Sequence, residues 1–165
     1  MGKITLTFGS FGSFVTFRRA ALAVIAALMI SQLVPLSRAN PPVTREVRWD
    51  SGATRALAQR ACFDCHTNLT VWPWYSHVTP SSFLVINHVE DGRRRLNFSE
   101  LDTSQRATFA DIQHDIENGD MPIWNYVLLH PEAKLSPAET SQLVEGFRRT
   151  FAGDPPIPGP PLRRR

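Results

Sequence analysis

Both cysteines of the chain sit in one pentapeptide, Cys62-Phe63-Asp64-Cys65-His66. C-x-x-C-H is the attachment signature of c-type haem. On a helical turn, residues three apart share a face. Cys62 and Cys65 can then each form a thioether to one porphyrin vinyl group, while His66, next in the chain, brings its imidazole under the iron. Three other chemistries compete. A thioredoxin-like redox pair wants a preceding strand and a βαβ pattern, and neither is visible. A zinc site wants four ligands in two clusters, and the chain has no second C-x-x-C and no H-x₃₋₅-H. A plain exported disulfide is the remaining alternative. One covalent haem c is the reading that the motif carries best.

A sixth ligand can be sought by counting. Of the three methionines, Met1 and Met29 precede the motif, and only Met121 follows it. Met121 lies in the polar turn Asn118-Gly119-Asp120-Met121-Pro122, whereas a core methionine sits on the apolar stripe of an element. It is 55 residues beyond His66, enough chain to wrap over the far haem face. Met121 is therefore the expected distal ligand, and His/Met ligation raises the reduction potential relative to two nitrogen ligands. His130, before Pro131, is the alternative ligand. His88 and His114 read as exposed helix positions, and His77 as a cap or a propionate contact. Trp72, Trp74, Tyr75 and Trp124 are expected to wall the haem pocket, a role shared with core packing, as is Tyr126. Arg93-Arg94-Arg95 reads as a solvated face, with propionate pairing or partner docking as the alternative. Asn68-Leu69-Thr70 and Asn97-Phe98-Ser99 match a glycosylation pattern by chance.

The elements that must position these residues are helices. Asp50 or Ser51 can cap a first helix through TRALAQRACFDCH, residues 54–66. An aromatic loop over 67–79 follows, interrupted by Pro73. Thr79-Pro80 opens a second helix through Phe83, Ile86 and Val89, ending near Gly92. A third spans about 103–118, with Phe109, Ile112 and Ile116 on one stripe and Gly119 as its stop. Ser136-Pro137-Ala138-Glu139 is a capping box that starts a fourth, through Leu143, Val144 and Phe147. No period-two alternation appears, so the fold class is all-α, a small cytochrome c-like helical haem domain over 40–150. The Pro-rich basic tail, 151–165, is expected to be disordered.

Charge and the N-terminus narrow the setting. The chain has 165 residues, 18 Lys+Arg against 15 Asp+Glu, and a pI of about 9.3. That length suits one domain and is short for a doubly wound or TIM-barrel enzyme. Lys3, Arg18, Arg19 and Arg38 lie in the first 39 residues, which hold no acid; from Asn40 onward, 14 basic against 15 acidic residues give −1. The basic pI belongs to the ends, which excludes a basic nucleic-acid-binding body. Arg18-Arg19 leads the uncharged run Ala20–Leu36, a signal or anchor helix over about 18–36 behind a cytoplasmic lead. The expected location is the inner membrane, single-pass, with the haem domain in the periplasm. The alternative is cleavage after Ala39, with Ser37 and Ala39 as small residues at −3 and −1.

Asn40-Pro41-Pro42-Val43, Trp49-Asp50-Ser51, ACFDCHTN from Ala61, WPWYS from Trp72, LNFSE from Leu96, GDMPIW from Gly119 and LLHPEAKLS from Leu128 occur in this order. Together they resemble the bacterial haem-binding domain family of short, membrane-anchored, cytochrome c-like proteins, over about 40–150. The resemblance implies covalent monohaem c on Cys62, Cys65 and His66, outside the inner membrane, with Met121 as distal ligand. The expected function is electron transfer to an unidentified redox partner, without catalysis. The alternatives are a haem-based sensor with a displaceable distal ligand and an accessory subunit of a larger oxidoreductase. A peroxidase wants an open distal face with an acid/base and a cation, and no such pair can be assigned.

Overall fold

The structure is a computed structural model that describes residues 11–160, with side chains from 16 onward. Seven α-helices occur among the described residues: α1 (Phe11–Ser31), α2 (Gly52–Ala61), α3 (Phe63–His66), α4 (Ser81–Arg95), α5 (Phe109–Glu117), α6 (Trp124–Leu129) and α7 (Pro137–Gly153). One parallel pair joins β1 (Ser104–Gln105) to β2 (Ile157–Pro158). The all-α expectation describes this body.

Local chemistry starts the helices where side chains can satisfy the first free backbone N–H groups. Ser51 Oγ accepts from the Thr54 N–H at 3.2 Å, so Ser51 rather than Asp50 is the cap of α2. Reciprocal capping boxes open α5, through Thr108 and Asp111, and α7, through Ser136 and Glu139. α5 starts six residues later than the stripe suggested, because 104–105 are extended in β1. Gly119 ends this segment at φ +75°, a left-handed conformation that costs glycine little. The expected helix over 54–66 is broken at Cys62 (φ −128°, ψ −31°) into α2 and the single turn α3.

The helices close over a core in which Phe98, Leu101, Leu143 and Phe147 are almost fully buried. Phe98 stacks on Phe147 at 5.6 Å, and Phe147 on Phe151 at 5.6 Å. α2 approaches α7 at Gly146, where an added Cβ would fall 2.2 Å from Thr54 Oγ1.

Two expectations are corrected. The tail is ordered beyond residue 151: α7 runs to Gly153, Phe151 and Asp154 are buried, and residues 157–158 pair with β1. Proline lacks an N–H, but Ile157 and Gly159 keep theirs, and the Gly159 N–H donates to the Gln105 carbonyl at 2.6 Å. Residues 161–165 lie outside the described residues. The helix expected over 18–36 instead spans 11–31 and carries Arg18 and Arg19 within it. Its uncharged part, Ala20–Ser31, is twelve residues, which rise about 18 Å against a hydrocarbon core of about 30 Å. Among the described residues no helix is long and apolar enough to cross a membrane.

The segment between α1 and α2 is extended but tied down. Gln32 accepts from the Thr79 N–H at 3.1 Å and Ser31 shares a 2.6 Å hydroxyl contact with Thr79. Arg38 donates to the Ser76 carbonyl at 3.1 Å, and Asn40 to the Thr70 carbonyl at 2.9 Å. The backbone N–H groups of Thr44 and Arg45 donate to Ser99 O, and that of Val47 to Phe98 O. Asp154 closes the far end of this segment: it takes the Arg48 N–H at 2.9 Å and the Arg45 guanidinium. Burial pushes the Asp154 carboxyl up, but these donors outweigh it and hold it below the ordinary value. A depressed carboxylate stabilises the fold above its unfolded-state pKa and loses that contribution as pH falls through the folded value. Asp154→Asn is therefore expected to cost about 1.5–3 kcal/mol at pH 7. Urea midpoints at pH 7 and pH 3 check it, since the variant's deficit shrinks as the wild-type carboxylate protonates.

Candidate functional site

The extended segment 96–98 grips His66 twice. The Phe98 N–H donates to the His66 carbonyl at 2.8 Å, and His66 Nδ1 lies 3.0 Å from the Leu96 carbonyl oxygen. A carbonyl only accepts, so Nδ1 carries the proton and Nε2 keeps its lone pair for a metal. Burial also lowers the His66 pKa, which favours the neutral ligand form. Behind the grip lies a buried amide pair: Asn97 Nδ2 donates to Asn68 Oδ1 at 2.9 Å, and Asn68 Nδ2 donates to Pro42 O at 2.9 Å and Glu100 at 2.6 Å. Both apparent glycosylation asparagines are thus buried cross-links.

α3 is held against α4 at one point of backbone contact. A Cβ on Gly92 would fall 2.3 Å from the Cys65 carbonyl oxygen. The glycine read as a helix stop is interior to α4, which runs on to Arg95. Asp64, between the two cysteines, accepts from the Tyr126 hydroxyl at 2.7 Å and from the Val71 N–H at 3.0 Å.

These contacts leave a cavity of about 1090 Å³ whose wall includes Cys62, His66 and Met121. A side lobe of about 200 Å³ adds Cys65, His88 and Tyr126. Leu96, Phe98, Ile112, Ile116 and Phe147 supply apolar wall, and Pro156–Gly159 cover one side. Met121 is placed by its N–H, which donates to the Asp115 carbonyl at 2.9 Å after the turn at Gly119. The thiols are unpaired, and burial pushes them up, Cys62 to about 12 and Cys65 to about 11. Such thiols are poor nucleophiles at neutral pH, the opposite of a tuned dithiol redox pair. Cys62, His66 and Met121 thus face a cavity large enough for a macrocycle, with apolar and charged residues on its wall, and Cys65 faces its side lobe.

A model of the haem-binding domain family matches residues 26–149. The chain belongs to that family. No curated protein and no solved structure matches it. A haem is thus the ligand this cavity is to be judged against, and the donor set fits one: soft sulfur and imidazole donors suit haem iron.

Not every residue expected around the haem lies on the wall of this haem-binding domain. Trp74 and Trp124 are each 77% exposed. Trp72 turns away to donate to Asn40 at 3.2 Å. Tyr75 bonds His130 Nε2 at 2.7 Å, which occupies the alternative axial histidine, and His130 also stacks on Tyr126 at 4.3 Å. Their place on the wall is taken by Tyr126, Phe98 and Phe147. His88, expected at the surface, is half-buried in the side lobe; His114 is exposed at the rim. His77 is exposed at the end of the 3-10 turn Trp74–His77. The signal for His88 was present: it is four residues before Gly92, on the helix face that meets α3.

Proposed function

We propose that this haem-binding domain is a membrane-tethered monohaem cytochrome c that carries electrons. The observation that supports it most directly is the convergence of Cys62, Cys65, His66 and Met121 on one cavity. Cys62 and Cys65 would hold the haem covalently through its vinyl groups, and His66 Nε2 and Met121 Sδ would supply the ligands to its iron. When bound, the haem supplies a one-electron couple. The chain's own part is to exclude water through Leu96, Phe98 and Phe147, to hold the imidazole neutral through Leu96, and to offer Met121 as a second ligand, which would leave no iron site open to substrate. That last point is what makes it a carrier rather than an enzyme.

Membrane attachment through α1, with the haem domain on the periplasmic side, is part of the proposal. Leu22, Val24, Ile25, Leu28, Met29 and Ile30 are all exposed, so the part of α1 after Arg19 offers an apolar surface on every side for attachment to lipid.

The test is an absorption spectrum of protein matured with a haem c assembly system, recorded ferric and ferrous. A c-type ferrous α band with a far-red ferric methionine-to-iron band supports His66/Met121 ligation. Covalent haem with a high-spin ferric signal would replace the carrier by a ligand-binding sensor, and no haem would sink the reading. Met121→Ala is expected to abolish the far-red band, lower the midpoint potential and admit carbon monoxide or imidazole. An unaltered spectrum excludes Met121 as ligand.

A further inference from the structure

Ten arginines lie between residues 40 and 160, and eight are engaged. Arg45 and Arg48 pair with Asp154, Arg55 with Glu46, Arg60 with Glu139, Arg94 with Asp91, and Arg148 and Arg149 with Glu145. Arg93 donates to Thr67 O, Ala39 O, Asn40 Oδ1 and Thr70 Oγ1. Of these ten, Arg95 and Arg106 alone have side chains without a hydrogen bond or ion pair to another described residue, and both line the large cavity.

The backbone holds the two together. The N–H groups of Arg106 and Ala107 both donate to the Arg95 carbonyl at 2.9 Å. Both side chains are exposed and share one cavity wall, so a ligand in the cavity meets two cations there. The C-terminal end of α4 accounts for a cation at Arg95, through the helix dipole, but not for one at Arg106 on a separate segment. An anion bound between them accounts for both. Acids on the same wall are not that anion: Asp91 is held by Arg94, and Asp111 by the Thr108 cap. Asp115 and His114, also on this wall, form no ion pair with either arginine among the described residues, and Cys62 and His66 are the remaining titratable groups there.

Haem carries two carboxylates on one edge. We infer that Arg95 and Arg106 bind the haem propionates, so that the three consecutive arginines divide their work: Arg93 staples the interhelix segment, Arg94 pairs with its own helix, and Arg95 faces the cofactor. The inference rests on the haem occupying this cavity, as proposed above.

The experiment compares matured full-length wild type, Arg95→Gln/Arg106→Gln, Arg95→Lys/Arg106→Lys and Arg149→Gln, reading haem content and midpoint potential against pH. Propionates stripped of their cations protonate more easily and leave negative charge uncompensated near the iron. The glutamine pair is expected to keep its haem, show a lower potential, and show a potential that falls with rising pH in a window shifted upward from wild type. The lysine pair is expected to restore most of the wild-type value. Arg149→Gln, which removes one positive charge away from the cavity, is expected to leave both readings unmoved. Equal potentials and pH profiles in wild type and the glutamine pair would overturn the assignment, as would an equal shift in Arg149→Gln. If the glutamine pair fails to mature, the single substitutions are read the same way. Wild type without haem fails the parent reading instead, and is told apart because no variant then has a potential to compare.

Discussion

Cys62→Ala combined with Cys65→Ala is expected to remove all haem that survives acid–acetone extraction, with the pyridine haemochrome of the washed protein falling to background. The size of the effect follows from the inventory: these are the only cysteines in the chain, so no other thiol can substitute. Cys62 is on the wall of both lobes and Cys65 on that of the smaller, one helical turn apart around α3. The folded body should survive, because neither cysteine is one of the buried core residues, although Cys62 packs against them. Haem held by His66 and Met121 alone could still colour the double variant, but it would wash out. Extraction-resistant haem in the double variant would place the attachment elsewhere.

Gly92→Ala should be nearly as disruptive, although it adds one methyl group and no charge. The methyl would meet a main-chain carbonyl at 2.3 Å, and a backbone atom cannot swing aside as a side-chain tip can. Alanine gains about 1 kcal/mol of helix propensity over glycine, while overpacking costs about 1–3 kcal/mol. The net loss is expected to be up to about 2 kcal/mol, or several degrees of Tm at about 2–4 °C per kcal/mol. The larger effect falls on haem content, because α4 can relieve the clash only by pushing α3, which carries Cys65 and His66, away from segment 96–98. Gly52→Ala, with open space around it at the start of α2, serves as the control: stability should hold or rise and haem content should stay unchanged. Wild-type haem content in Gly92→Ala would show that α3 has slack the packing does not suggest.

The parts of this site that could be read beforehand are those encoded in adjacent residues. C-x-x-C-H, the Ser136–Glu139 capping box and the Gly119 turn before Met121 are local patterns whose physics is complete within a few positions. What could not be read are partnerships across the chain. Nothing near His66 says that the Leu96 carbonyl, 30 residues on, will take its proton, and nothing near Asn68 says that Asn97 will bury with it. Aromatic residues were the weakest guide, because Trp and Tyr serve wall, surface and hydrogen-bonding roles equally well. Trp74 and Trp124 ended at the surface while Tyr126 turned inward to Asp64. The tail misled for a related reason: its prolines forbid a central strand, yet one edge pairing needs only the N–H groups that remain.

The hydrogen bonds along residues 31–47 also determine what sort of carrier the proposed cytochrome would be. A flexible leash lets a cofactor sweep a hemisphere and meet partners by collision, with a reach set by linker length. Here the chain leaving α1 is fastened to Thr79, Ser76, Thr70 and Ser99 before α2 begins, and Arg93 bolts residues 39–40 to the loop after His66. With α1 as the proposed anchor, the haem is a fixture at one height and one tilt. Its traffic then depends on which proteins bring a docking face to that height, and lengthening the connection would trade a fixed terminal for a roaming one.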